Sequence, residues 1–231
     1  MSKQNLQNVI YQDDGIILNG LITSNQNKNF PGVLILPAWY GIDEEAKQAA
    51  INLQQQGYTA FIADIYGTER IPTTPEEASK ASKGYKQNFE LYQRRIVLAI
   101  NELIKAGANH SRIAVIGFCF GGTGALEAAR GKLPVTGVVC IHGDLYKNPN
   151  RKNNKIRSQI LIIHPANDHT VSKDAFEKIQ HEMEESQADW QIISCGNSKH
   201  TFTNPSSPDF NETMANRTWM QIILFLDEIL K

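Results

Sequence analysis

Arg112-Ile113-Ala114-Val115-Ile116-Gly117-Phe118-Cys119-Phe120-Gly121-Gly122-Thr123-Gly124-Ala125-Leu126-Glu127-Ala128-Ala129 is the stretch that decides the fold. Residues 112–116 read as a strand and residues 121–129 as a helix. Only Gly117-Phe118-Cys119-Phe120 separates them, so the chain must turn sharply from strand to helix. Gly117, Gly121 and Gly122 suit such a turn, because segments that pass this closely leave no room for side chains.

Working outward, apolar runs alternate with helical patterns from residue 33 to the end. Val33-Leu34-Ile35-Leu36-Pro37 reads as a strand buried on both faces, Asp43 caps a helix reaching Gln56, and Tyr58 to Ile65 forms the next strand. Helical periodicity runs from Thr74-Pro75-Glu76-Glu77 to Lys105, with Gly84 expected to divide it. Strands follow at 135–141, 159–163 and 190–194, and helices at 172–186 and 213–230. Asp13-Asp14-Gly15 turns between two β-capable stretches, which predicts an antiparallel hairpin at a sheet edge. The expectation is one α/β domain over residues 1–231, a mostly parallel twisted sheet with helices on both faces and an antiparallel N-terminal edge.

A formal net charge of −1 supplies no broad positive field for a phosphate backbone, so no nucleic-acid partner is expected. The basic run from Lys147 to Arg157 reads as a solvated connection. Cys119, Cys140 and Cys195 lack CxxC spacing, and the histidines form no HExxH, so neither a disulfide framework nor a metal site is expected. The N-terminal residues show no apolar leader core, and no later run is long enough to span a membrane. These features predict a cytoplasmic protein without a membrane partner; monomer and homodimer are equally compatible with them.

At the turn, Cys119 faces the N-terminus of the following helix, whose dipole and free N–H groups favour a thiolate. The Phe120 N–H is left available for an oxyanion. Gly-x-Cys-x-Gly between strand and helix is the nucleophile turn of an α/β-hydrolase fold, whose remaining groups follow in the order acid, then histidine. Cys140 and Cys195 lie in or at the end of apolar strands and read as core. The acids that follow strands are Asp144 and Asp168, and Asp168 is preferred because its loop leads directly into a helix. His200, between the last strand and the closing helix, fits the base better than His110, His142, His164, His169 or His181. The expected constellation is Cys119, Asp168 and His200, with backbone donors at Phe120 and in the Ala38-Trp39-Tyr40 loop, Trp39 foremost.

These residues resemble those of the dienelactone hydrolases over nearly the whole chain. The anchors are Gly117 to Gly122, Asp168-His169-Thr170-Val171, His200-Thr201-Phe202, Leu36-Pro37-Ala38-Trp39-Tyr40-Gly41 and Ala63-Asp64-Ile65-Tyr66-Gly67. The resemblance implies a cofactor-free hydrolase of small esters or lactones with a Cys-Asp-His triad and, in the archetype, an enol-lactone substrate. An enolate departs without full protonation, which suits a thiolate nucleophile. Where the archetype has a glutamate against the resting cysteine, this chain has Ala38. Where it clamps a substrate carboxylate with two arginines, this chain has Asn204 at one position and only Lys80 and Lys83 near the other. Arg94 and Arg95 read as surface residues. An apolar pocket walled by Trp39, Tyr40, Tyr66 and Tyr85, with Thr201 and Phe202 from the histidine loop, is the alternative to that clamp. A competing expectation is a redox- or electrophile-sensitive Cys119 in a binding role.

Overall fold

A computed structural model describes residues 6–24 and 29–231; residues 1–5, part of the stretch read above for a leader, and residues 25–28 lie outside the described residues. The strands are β1 (Leu6–Asp13), β2 (Ile16–Thr23), β3 (Gly32–Leu36), β4 (Thr59–Ile62), β5 (Ile113–Phe118), β6 (Gly137–Ile141), β7 (Gln159–Pro165) and β8 (Trp190–Cys195). The helices are α1 (Glu44–Gln55), α2 (Pro75–Gln87), α3 (Phe89–Lys105), α4 (Phe120–Arg130), α5 (Lys173–Glu185) and α6 (Glu212–Leu230).

The strands form one sheet in the order β1-β2-β4-β3-β5-β6-β7-β8. The β1–β2 hairpin closes through Asp14 and Gly15, both at positive φ (49° and 77°), as a tight turn between twisted strands requires. Hairpin strand β2 pairs antiparallel with β4, and every later pair is parallel. The expected α/β architecture with its antiparallel edge is therefore present.

Alternation along the buried strands sorts the core into two layers. Leu34, Leu36 and Val115 pack with Tyr92 and Ile96 of α3, Leu126 of α4 and Ile179 of α5. Val33, Ile35, Ala114 and Ile116 face the other way, onto Ala46 and Leu53 of α1 and Ile222 and Leu226 of α6. With both faces covered, the loops at the carboxyl ends of the parallel strands are left to form a site.

Three local expectations need correction. Gly84 lies inside α2 and does not divide the helical segment; the break is at Asn88, whose N–H donates to the Gly84 carbonyl while its side chain accepts from the Leu91 N–H and caps α3. A helical glycine weakens a helix by only about 1 kcal/mol, whereas asparagine offers the backbone a competing hydrogen bond. Arg95 is not a surface residue: it is 1% exposed, with Nε 2.7 Å from Asp13 Oδ2 and Nη1 donating to the Ile65 carbonyl. Arg94, half-exposed, approaches the same carboxylate oxygen at 3.0 Å. The basic connection is only partly solvated, because Arg151 forks onto both oxygens of buried Glu127, at 2.9 and 3.0 Å. Burial opposes the Glu127 charge, but hydrogen bonds and charge from Arg151 and Arg130 outweigh it and hold its carboxyl below the usual range.

Candidate active site

Five strand-to-loop exits converge at the carboxyl edge of the sheet: Ala38-Trp39-Tyr40 after β3, Cys119 after β5, His142 after β6, Asp168 after β7 and His200 after β8. Cys119 is the N-cap of α4, at φ 52° and ψ −113°, without a side-chain capping bond. A non-glycine residue held there costs about 1–3 kcal/mol, so its surroundings must enforce the conformation. They do so in two ways. A Cβ on Gly117 would strike the Gly121 backbone and one on Gly121 would strike the Leu36 carbonyl, which shows how tightly the segments cross. The Cys119 N–H is also held from both sides, by the Ile141 carbonyl at 3.0 Å and His142 Nδ1 at 3.1 Å.

His200 reaches over the turn from its loop. Its Nε2 is 3.1 Å from Cys119 Sγ, and its Nδ1 is 2.8 Å from Asp168 Oδ2. Thr170 secures the other Asp168 oxygen, its N–H and O–H both donating to Oδ1 at 2.8 and 2.6 Å. Burial works against the Asp168 charge, but hydrogen bonds from His200 and Thr170 outweigh it and hold the carboxyl at about 2. Burial likewise opposes a charged His200, yet its hydrogen bonds to Asp168 and Cys119 prevail and lift it to about 10. At neutral pH His200 is therefore an imidazolium between a carboxylate and a sulfur.

A second, unanticipated chain of hydrogen bonds runs behind this one. Burial, with the His200 charge second, pushes His142 down to about 3, so its ring is neutral. Since Nδ1 accepts from Cys119, Nε2 carries the proton and donates to Thr203 Oγ1 at 2.8 Å. Thr203 in turn donates to Glu45 Oε1 at 2.6 Å. The His142 and His200 rings meet edge to face, with centroids 5.2 Å apart.

Beside Cys119 opens a cavity of about 450 Å³, lined by Ala38, Trp39, Tyr40, Phe120, Thr201 and Asn204 among others. Phe120 begins α4, where its N–H has no acceptor within the helix, and its ring stacks between Tyr66 and Tyr92, at 5.6 and 4.7 Å. The Trp39 carbonyl accepts from the Tyr66 hydroxyl at 2.9 Å, which fixes the loop after β3.

Three expected pocket residues, Tyr85, Phe202 and Tyr66, lie elsewhere. Tyr85 donates its hydroxyl to the Ile65 carbonyl and packs on Tyr66, Tyr92 and Phe120; helix α2 turns its ring into that aromatic cluster. Phe202 is completely buried in the layer under α1 and α6, its apolar ring drawn inward between Thr201 and Thr203. Tyr66 is likewise buried. Asp144 is absent from the His200 contacts and pairs with Lys86 at 2.8 Å; Lys86, and neither Lys80 nor Lys83, lines the cavity.

Sequence reasoning passed over His142, Thr170, Thr203 and Glu45. His142 carried a signal, ending a buried strand as the other site loops do. Thr170 carried another, in the Asp-x-Thr spacing that lets a side-chain oxygen meet the N–H two residues on. Glu45 carried none, because an acid in the first turn of a helix is ordinarily explained by the helix dipole.

Among the described residues, no cluster of three or more histidine, cysteine, aspartate or glutamate side chains could hold a metal ion. No described helix is long and apolar enough to cross a membrane.

The sequence pattern of the dienelactone hydrolase family matches residues 18–230. A probable 2-oxo-3-(5-oxofuran-2-ylidene)propanoate lactonase from Bradyrhizobium sp is 24% identical over 211 residues, spanning 85% of this chain and 83% of the relative. The crystal structure of a dienelactone hydrolase-like promiscuous phosphotriesterase from metagenomic libraries superposes with a TM-score of 0.92 at 28% identity, covering 99% of both chains. A structure named m3DLH superposes with a TM-score of 0.93 at 27% identity and the same coverage.

Proposed function

The chain belongs to the dienelactone hydrolase family, and from that premise we propose that it hydrolyses small carboxylic esters or lactones through Cys119, His200 and Asp168. The observation carrying this reading is the unbroken path from Cys119 Sγ through both His200 nitrogens to Asp168, with contacts of 3.1 and 2.8 Å. It opens onto a cavity large enough for a small acyl compound.

In this mechanism the Cys119 sulfur attacks the substrate carbonyl carbon, and the resulting oxyanion is held by the N–H groups of Phe120 and Trp39. The tetrahedral intermediate expels the alkoxide or enolate oxygen, which takes the proton from His200 Nε2, and a thioester remains. Acylation removes the interactions with the Cys119 sulfur that help to raise His200, so the imidazole becomes a stronger acid and its neutral form accessible. Neutral His200 then takes a proton from water as the water attacks the thioester carbonyl. The C–S bond breaks, and the acid leaves. Asp168 holds the ring in one tautomer throughout.

The test is a panel of p-nitrophenyl esters and enol lactones, with a neutral phosphotriester included because of the metagenomic relative. Turnover of an ester or lactone, a Cys119-linked acyl group seen by mass spectrometry, and loss of both in Cys119→Ala are expected. A thiol that oxidises or alkylates readily but never turns over an acyl compound would favour the redox-thiol alternative.

A further inference from the structure

We infer that Glu45 makes the cavity beside Cys119 selective against anionic acyl groups, so that the substrates are esters or lactones whose acyl part is neutral or cationic. The inference rests on the hydrolase reading above and concerns which acyl group the same site admits.

The charges around the cavity carry it. Lys86 is neutralised by Asp144 at 2.8 Å, and the His200 cation is offset by Asp168. No arginine is among the described residues lining the cavity. Two carboxylates remain, Asp43 and Glu45, at the start of α1. Asp43 is partly committed, since its Oδ1 accepts the Ala46 N–H as the helix cap. Glu45 differs from it. Only 7% exposed, it contributes to the cavity wall without an ion pair of its own among the described residues, the His200 charge that acts on it being bonded to Asp168, and Thr203 occupies Oε1 alone.

Burial, with the Asp43 charge adding to it, pushes Glu45 up to about 7 against the Thr203 hydrogen bond and the more distant His200 charge, the expected response of a carboxylate with too little water and no ion pair of its own. Its position is fixed from behind, through Thr203 and His142, to the backbone N–H of Cys119 itself. An acyl group attached to the sulfur therefore meets a carboxylate that cannot swing away without breaking this chain. A second negative charge brought there by the substrate gains no partner and adds repulsion in a poorly solvated space, whereas a cation or hydrogen-bond donor supplies what Glu45 lacks.

The experiment compares p-nitrophenyl esters of one chain length: hexanoate, the half-ester of adipic acid, and the ester of trimethylammonio-hexanoic acid. Each kcat/KM is divided by the uncatalysed rate and measured in mildly alkaline buffer, above the value near 7 at which Glu45 titrates. The anionic ester is expected to fall at least ~10-fold below the neutral one, with the cationic ester equal to it or better, since closely placed like charges in a partly desolvated site cost this much or more. Glu45→Gln should shrink the anionic deficit about fivefold or more. Asp43→Asn, which retains the helix cap, should shrink it less. Both variants are read as ratios of esters within one protein, so a general loss of rate does not obscure the result. Equal turnover of all three esters by the unaltered protein, or a deficit unchanged in Glu45→Gln while Cys119 is still acylated, overturns the role of Glu45 alone. Failure of all three esters to acylate Cys119 overturns both this inference and the hydrolase reading.

Discussion

Nδ1 of His200 lies 2.8 Å from Oδ2 of Asp168, and Thr170 saturates the opposite oxygen of the same carboxylate. The Asp168 side chain is wholly shielded from solvent while that of His200 is 22% exposed, so the carboxylate has no orientation but this one and the imidazole keeps a path to the cavity. Asp168→Asn removes the charge and can present an N–H to Nδ1, favouring the wrong tautomer. The expected loss in kcat is about 10⁴-fold, the scale seen when an aspartate–histidine pair of this kind is so altered. The His200 titration, followed by NMR, should move down from about 10. Thr170→Val should cost far less, about 10-fold, because a single neutral donor is removed. A kcat for Asp168→Asn within tenfold of the parent would sink the assignment.

His142 makes a prediction about acid stability. Its folded value is depressed to about 3 from an ordinary 6.5, chiefly by burial, so below 6.5 the unfolded chain takes up a proton that the folded chain refuses. The associated stability is present above 6.5 and lost as pH falls toward 3. Glu45 acts in the opposite sense: raised from 4.5 to about 7, it stabilises at low pH and loses that contribution as pH rises through 7. Replacing His142 by Asn should therefore flatten the fall in melting temperature between pH 6.5 and about 3, even if the variant is less stable at neutral pH. Thermal melts across that window check it, and parallel curves for parent and variant would exclude His142 as the acid-sensitive group.

The parts of the molecule legible in the sequence were those set by local rules. Apolar runs gave the buried strands, the glycines around Cys119 marked the strand-to-helix turn, and chain order singled out Asp168 and His200, which the fold brings into contact with each other, His200 also reaching Cys119. The illegible parts depend on which way a helix is rotated. Tyr85 and Lys86 are neighbours in α2, yet Lys86 lines the cavity while Tyr85 joins an aromatic cluster. Arg95 looked solvated for the same reason: its sequence neighbours do not reveal that Asp13, eighty-odd residues earlier, comes to lie against it. Glu45 is the extreme case, since its meaning arises only where α1, the loop after β6 and the histidine loop meet.

The turn itself can be probed at Gly121. A methyl group there would collide with backbone atoms of Leu36 and Pro37, which no side-chain rotation can relieve. Gly121→Ala should separate β3 from the start of α4 and disturb both the Cys119 conformation and the loop carrying Trp39. We expect destabilisation of more than about 3 kcal/mol, at the upper end for single substitutions, together with loss of hydrolase activity. Gly84→Ala is the matched control: its added carbon meets nothing, and in a helix it should stabilise by about 0.5–1 kcal/mol. Urea denaturation of the two variants gives the comparison, and similar midpoints would refute the tight crossing at Gly121.

Arg95 and Asp13 connect α3 to the antiparallel edge, and the energetics of that connection can be separated from its geometry. Arg95→Met leaves the buried Asp13 carboxylate with only half-exposed Arg94, and removing one member of a buried pair typically costs about 3–5 kcal/mol. Because Arg94 supplies partial compensation, the lower end of that range, about 3 kcal/mol, is expected. Arg94→Met should cost under about 1 kcal/mol, as for other solvent-exposed ion pairs. Removing both partners in Arg95→Met with Asp13→Leu takes away the buried charges together, and should recover most of the loss, since an apolar replacement of a buried pair is often close to neutral. Stabilities from denaturant titration of the single and double variants close the cycle. A double variant as unstable as the sum of its parts would mean that the two side chains act independently, and that the hairpin is held to α3 by something other than this pair.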